Sequence, residues 1–333
     1  MTATNVVRKL LGMAAVFTLV GSLAACGGDD SATTAATGGP TKITISTVAA
    51  DSGAQGFLAK EKGFFTAQGL DVDVKIVAGV PELAAAVQSG GSQFALTSPA
   101  SIASASASGI PFRIVAGGLL YTKEKPGVWL MIGDKATDVK ELKDLGGKSI
   151  ATNALNTLPH LSTLAALDDA GVDVKTVNFV TLNFPAIGQA LESGQVPAGA
   201  VVSPFYDQQE AAKIAHRLVS PYDSVNNGKD FLNTTWFAKE DYIADNSAVV
   251  EKFRAAMKAT NAWANDPANE AERKSILQKY TELPDDAINA LELALYGDET
   301  TPDLVQPLLD VMVRFGALKE PIKAETIIAA DGK

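Results

Sequence analysis

Cysteine is nearly absent from this 333-residue chain, with Cys26 the single example. Without a second thiol, an intrachain disulfide, a Cys-based metal site and a Cys-X-X-Cys redox pair are all excluded. Histidine is almost as scarce: His160 and His216 stand alone, neither with a partner at metal-ligand spacing. Basic residues are outnumbered, 28 against 38 acidic ones, for a formal charge of -10, and no Lys/Arg run occurs. That balance argues against nucleic acid, because phosphate binding needs clustered cations. There is no G-x-S-x-G elbow. Gly147-Lys148-Ser149 lacks the first glycine of a phosphate loop, since Leu142 stands there, and reads as the start of a strand. Beyond the N-terminus no apolar run is long enough to span a bilayer. What the chain does have is apolar material, 47% of its residues, enough for real cores in about two domains.

The N-terminus is patterned for export. Arg8 and Lys9 precede an apolar run from Leu10 to Val20, which is shorter than the roughly 20 residues of a membrane span. The run closes on Leu23-Ala24-Ala25-Cys26, with Gly27 after it. That tetrapeptide resembles the lipobox of bacterial lipoproteins. The resemblance implies a signal peptide over 1–25, lipidation of Cys26 and an extracytoplasmic protein anchored to the cell membrane by lipid alone. An ordinary secretory signal with an incidental Cys is the alternative. Residues 26–40, small, polar and of low complexity, read as a flexible tether, so folding is expected to begin near Thr41.

From Thr41 to about Val219, strand-like and helix-like segments alternate with short connections. This implies an α/β fold in which mostly parallel sheets are flanked by helices. Ala54–Ala67 is expected as one helix. From about Val249 the pattern turns to helices alone: 249–263, 271–280, 285–295 and 302–315. A faint internal repeat aligns Pro81–Gly90 with Pro185–Gly194. Each copy leads through an apolar strand to a Ser-Pro pair, Ser98-Pro99 and Ser203-Pro204, with a one-residue shift in the second. Two lobes built from the same unit would produce this. The expected division is 41–127 plus 222–333 for lobe I and 128–221 for lobe II, with two crossovers as hinge.

Ser before Pro suits a helix N-cap, so each pair marks a strand end and a helix start. Backbone N–H groups there carry the positive end of the helix dipole, and open α/β sheets bind ligands beyond the carboxyl ends of their strands. The candidate ligand-binding residues follow: Thr47, Asp51 and Ser52 after the first strand; Thr97 and Ser98; Asn153, Asn156 and Thr157; and Ser203. Phe205, Tyr206 and Trp236 supply either an aromatic wall or core packing. None of these loops contains Lys or Arg. An anion would be held there by hydroxyls and helix N-termini; Asp51 and Asp207 could instead meet a cation. No catalytic residue, metal or cofactor is indicated, and a monomer is expected.

The segments Gln55-Gly56-Phe57-Leu58-Ala59-Lys60-Glu61-Lys62-Gly63-Phe64-Phe65, Gln68–Val72, Pro81–Gly90, Gly147–Thr152 and Ala190–Val196 carry a resemblance over about residues 41–265. They resemble the ABC-transporter substrate-binding proteins of the nitrate/sulfonate/taurine (thiamine-precursor-like) group. The resemblance implies a periplasmic-binding-protein-like fold that closes on a small solute and delivers it to a permease driven by a separate ATPase. Pro197-Ala198 replaces a frequent Asp of that group, and Asn156–His160 replaces its Gly-Ser-x-x-His loop. Sulfonate, nitrate, aromatic carboxylate and pyrimidine therefore all stay open. The related pyrimidine synthase needs a Cys-rich motif that this chain lacks. An enzyme on the same scaffold and a sensory or structural lipoprotein are the rival expectations.

Overall fold

A computed structural model describes residues 39–330 apart from Ala78 and Glu282. The expected signal peptide, Cys26 and nearly all of the tether lie outside these residues. The chain runs β1 (Thr41–Thr47), α1 (Gln55–Glu61), α2 (Phe64–Ala67), β2 (Leu70–Ile76), α3 (Val80–Gln88), β3 (Phe94–Thr97), α4 (Pro99–Ala107) and β4 (Phe112–Gly117). It continues through β5 (Leu119–Tyr121), β6 (Val128–Gly133), β7 (Ser149–Thr152), α5 (Leu158–Asp169), β8 (Asn178–Thr181), α6 (Phe184–Ser193), β9 (Ala198–Val202), α7 (Phe205–Ala211) and β10 (Ala215–Val219). The remainder is β11 (Phe231–Leu232), β12 (Thr235–Lys239), α8 (Glu240–Asp245), α9 (Ser247–Ala264), α10 (Glu270–Thr281), α11 (Asp285–Ala290), β13 (Leu295–Tyr296) and α12 (Pro302–Arg314).

Two five-stranded sheets result, ordered β2-β1-β3-β12-β4 and β8-β7-β9-β6-β10. Each has four parallel strands and one antiparallel strand in the same place, β12 in the first and β6 in the second. The repeat seen in the sequence is real at this level: α3–β3–α4 and α6–β9–α7 hold matching positions in the two sheets. Every strand of the first sheet lies within 41–117 or 235–239, and every strand of the second within 128–219.

Both sheets are buried on both faces, which is why their strands read as near-continuous apolar runs. In β6, Leu130 and Ile132 join the cluster of Leu145, Ile150 and Leu167, while Met131 packs with Ile187, Leu191 and Val201 on the other side. In the first sheet, Ile43, Ile45 and Phe94 meet Phe253 and Met257 of α9. Its other face meets α4 and α12. That second cluster also takes in Leu158, Leu161 and Ala165 of α5, so a helix of the second sheet shares a core with the first.

Two chain crossings connect the sheets, and they are hydrogen-bonded to each other. β5 lies on the first and β11 on the second. With β13 they form a small antiparallel sheet, β11-β5-β13, called here the crossover ribbon. Three sequence expectations need correction. Helix 54–67 is broken into α1 and α2 by Gly63, whose φ of 74° is left-handed and ends a helix. Helix 285–295 stops at Ala290, because Leu295 and Tyr296 pair with β5 instead. The C-terminal region is therefore not helical throughout. Among the described residues no helix is long and apolar enough to cross a membrane.

Candidate functional site

Most parallel strands of each sheet end in loops that lead into helices. β1 ends at buried Thr47, whose hydroxyl donates to Gly53 O at 2.9 Å and turns the chain. β3 ends at buried Thr97, whose Oγ1 finds no hydrogen-bond partner. β7 ends at Thr152, buried and unpartnered in the same way. Buried hydroxyls are seldom left without a partner, and such groups mark positions where a further polar group fits. Ser98 caps α4 as expected, accepting from Ser101 N at 3.3 Å.

In the β7–α5 loop, Thr157 Oγ1 reaches Ala154 O at 2.8 Å and Asn153 Oδ1 at 3.0 Å. Asn156 sits at φ 59° and donates its N–H to His160 Nδ1 at 3.1 Å. The His160 proton is therefore on Nε2. Burial pushes its pKa down to about 4, so the ring is neutral at pH 7.

Three expected site residues have other duties. Trp236 is wholly buried within the first sheet and donates Nε1–H to Gln55 Oε1 at 2.8 Å. It is a core residue, because β12 is an internal strand covered on both faces. Asp51 is held in an ion pair with buried Arg273 at 2.9 Å, and its second oxygen accepts from Ala294 N at 3.0 Å. Ser203 does not cap α7: Pro204 occupies the N-cap, and Ser203 Oγ donates to Asp207 Oδ2 at 3.1 Å. Ser52 is half-buried beside Asp51.

Aromatic rings gather where β9 meets α7. Phe205 stacks on Phe184 with centroids 5.6 Å apart. The Arg217 guanidinium lies 4.7 Å from the ring of buried Tyr206 and 5.4 Å from Trp129. Arg217 also pairs with Asp207 at 2.9 Å and Glu210 at 3.0 Å. Burial pushes the Asp207 carboxyl up to about 6, against the Ser203 bond and the Arg217 charge; Glu292 and Glu210 add to the rise.

A stability change with pH follows. Asp207 binds its proton more tightly folded than unfolded, where about 3.9 applies, so stability falls as pH rises from about 4 to about 6. His160 acts in the opposite sense, losing stability as pH drops below about 6.5. The difference isolates Asp207. Asp207→Asn should remove up to about 2 kcal/mol of the Asp207 contribution between pH 4.5 and 7, read from urea unfolding, because the unfolded carboxyl is already mostly ionised at pH 4.5. Equal pH slopes in the two proteins would show that Asp207 titrates normally.

The strand tips of the two sheets meet one short segment. Asp51, after β1, accepts from Ala294 N, while Tyr206, after β9, donates its hydroxyl to Glu292 Oε2 at 3.4 Å. Residues two apart in an extended chain are separated by only about 7 Å. Glu292–Ala294 thus brings the β1–α1 loop and the start of α7 to a common place. Sequence reasoning missed this segment, and Arg273 and Gln55 with it, because key partners lie far along the chain: 243 residues for Ala294 and Asp51, 222 for Arg273 and Asp51, and 206 for Gln55 and Asn261. A concavity of about 860 Å³ opens elsewhere, between the β4 edge, α9, Asp298–Pro302 and Glu325–Ala330, and none of the expected site residues lines it.

Two α/β sheets of equal strand order, with loops that converge from both, define the periplasmic-binding-protein fold. The aliphatic sulphonate binding protein SsuA of Escherichia coli superposes with a TM-score of 0.73 at 17% identity, over 87% of this chain and 92% of that one. SsuA of Xanthomonas axonopodis pv. citri, bound to MOPS, gives 0.69 at 16% identity, over 88% and 99%. The nitrate-binding protein NrtA of Synechocystis gives 0.67 at 15% identity, over 86% and 84%. The chain itself belongs to the NMT1/THI5 like family, whose model matches residues 53–271. It is 31% identical over 165 residues to a Brachyspira hyodysenteriae protein named as an ABC transporter periplasmic binding protein. That alignment covers 48% of this chain and 41% of the relative.

Proposed function

We propose that this protein is the solute-binding component of an ABC importer, a lipoprotein held at the outer face of the cell membrane. It captures a small anionic or aromatic solute between its two sheets and passes it to a permease without altering it. The observation that carries this is the convergence of the β1 and β9 tips on Glu292–Ala294. Family membership supports it, as does the kinship with binding proteins for sulfonates and nitrate. The unpartnered hydroxyls of Thr97 and Thr152, with Ser98, Asn153, Thr157 and Phe205, are the groups that would meet the solute. Two crossovers joined by one ribbon make a hinge on which the sheets can close.

The test is thermal unfolding with taurine, an alkanesulfonate, nitrate, benzoate and an aminopyrimidine in turn. A ligand at 100 times its Kd stabilises by about 2.7 kcal/mol, a shift of several degrees. No shift with any compound, or recovery of a chemically changed compound, would count against transport. Once a ligand is found, Ser98→Ala or Thr152→Val should weaken it by about 1 kcal/mol, roughly fivefold, by calorimetry. Unchanged affinity in both would move the site away from these strand ends. Cys26→Ala should leave affinity intact and shift the protein from the membrane to the soluble fraction. Continued sedimentation with membranes would refute lipid anchoring at that residue.

A further inference from the structure

Gln55 begins α1, directly after the loop that follows β1, and its side chain is wholly buried. Its amide reaches three separate elements. Nε2 donates to Asn261 Oδ1 of α9 at 2.6 Å and to Gly117 O, at the end of β4, at 3.3 Å. Oε1 accepts the Trp236 indole N–H from β12 at 2.8 Å. Asn261, equally buried, passes the connection on by donating Nδ2 to Gly297 O at 2.9 Å. Gly117 opens the first crossing between the sheets, Gly297 follows β13, and Gly297 N donates to Gly118 O at 2.9 Å. Two side-chain amides thus grip both backbones at the base of the crossover ribbon.

The same loop is tied to the ribbon a second time. Ala294 N donates to Asp51 Oδ2, and Tyr296 O–H donates to Asp51 O at 3.0 Å. Asn265 pairs with both the N–H and the C=O of Tyr296, at 2.9 and 2.8 Å, filling the open edge of β13 as a strand would. A buried network whose members are all bonded is stiff, because any one displacement strands several polar groups at once.

We propose that Gln55 is a positioning residue that locks the β1–α1 loop to the base of the crossover ribbon, so that loop and crossings move as one body. This deepens the proposed function, since the loop follows the β1 tip that converges with β9 on Glu292–Ala294, and a contact made there would reach the hinge without slack. The alternative is that Gln55 only satisfies polar groups of the core.

Native-state hydrogen exchange on the full chain, with no ligand and at urea concentrations too low to unfold the sheets, separates the two. In the unsubstituted protein, amides of 51–55, 119–121 and 295–296 should open in a single step with one shared urea dependence. Gln55→Met keeps the volume and removes the bonds. Ribbon amides should then exchange at least tenfold faster while those of β7 and β9 keep their rates. Phe65→Leu, a core change in α2 away from the ribbon, should lower stability without that selectivity. Wild-type ribbon rates in Gln55→Met, or a loop that opens separately from the ribbon in the unsubstituted protein, would overturn the lock. If Gln55→Met does not fold, the unsubstituted protein alone decides. No solute enters the measurement, so its outcome stands whether or not the ligand screen succeeds.

Discussion

Arg273→Ala should lose about 3–5 kcal/mol of stability, the largest effect of any single truncation considered for this protein. Arg273 is 2% exposed and the side chain of Asp51 11%. Their 2.9 Å contact is reinforced by Arg273 Nη1 donating to Ala264 O at 3.2 Å and by the Tyr296 ring 4.5 Å from the guanidinium. Burial opposes the charge on Arg273, but Tyr296 and Asp51 outweigh it and hold the group cationic. Truncating the arginine leaves the Asp51 carboxylate in a largely buried site, with Ala294 N as its remaining side-chain partner. Domain stabilities are about 5–15 kcal/mol, so such a loss is a large fraction of the whole. Removing both charges together, as Asp51→Asn with Arg273→Met, should cost clearly less than the sum of the single changes, because no lone charge stays buried. Urea unfolding followed by circular dichroism reads the unsubstituted protein, Arg273→Ala, the single changes Asp51→Asn and Arg273→Met, and the two combined. A cost below about 1 kcal/mol for Arg273→Ala would mean that water enters and that the β1 loop is not clamped here.

That pair also shows where the sequence stops being informative. Alternation of apolar runs and turn residues identified the α/β class and most strands, because periodicity is a local property. The kinship of Pro81–Gly90 with Pro185–Gly194 was legible for the same reason, and it matches the equal strand order of the two sheets. Ser98 was correctly read as a cap, since N-capping needs only neighbours. Asp51 stands in the sequence as a candidate ligand contact because the partner it does have lies 222 positions away. Trp236 stays open in the sequence between cleft wall and core because nothing near it announces an internal antiparallel strand. Short strands such as β11 and β13, two residues each, carry no period at all and exist only through pairing with β5. The ribbon that joins the two sheets was therefore invisible.

Gly117→Ala should disrupt that ribbon directly and cost about 3 kcal/mol or more, from overpacking together with buried backbone groups left unpaired. The reason is space and not conformation, since Gly117 is not in the left-handed region. A Cβ there would lie 2.2 Å from Gly297 O and 3.0 Å from its carbonyl carbon. Those are backbone atoms, and they are fixed in place: Asn261 holds Gly297 O, and Gly297 N donates to Gly118 O. To admit a methyl group the two chains must separate, which breaks these bonds and the Gln55 contact to Gly117 O together. Gly63→Ala is the informative comparison. Gly63 has a φ of 74° but nothing within 4 Å of an added Cβ, so it should cost only the left-handed penalty of about 1–2 kcal/mol. Thermal unfolding of the two variants should rank Gly117→Ala well below Gly63→Ala. The reverse order would mean that Gly297 turns aside freely, and a ribbon so loosely held could not couple the β1 loop to the hinge.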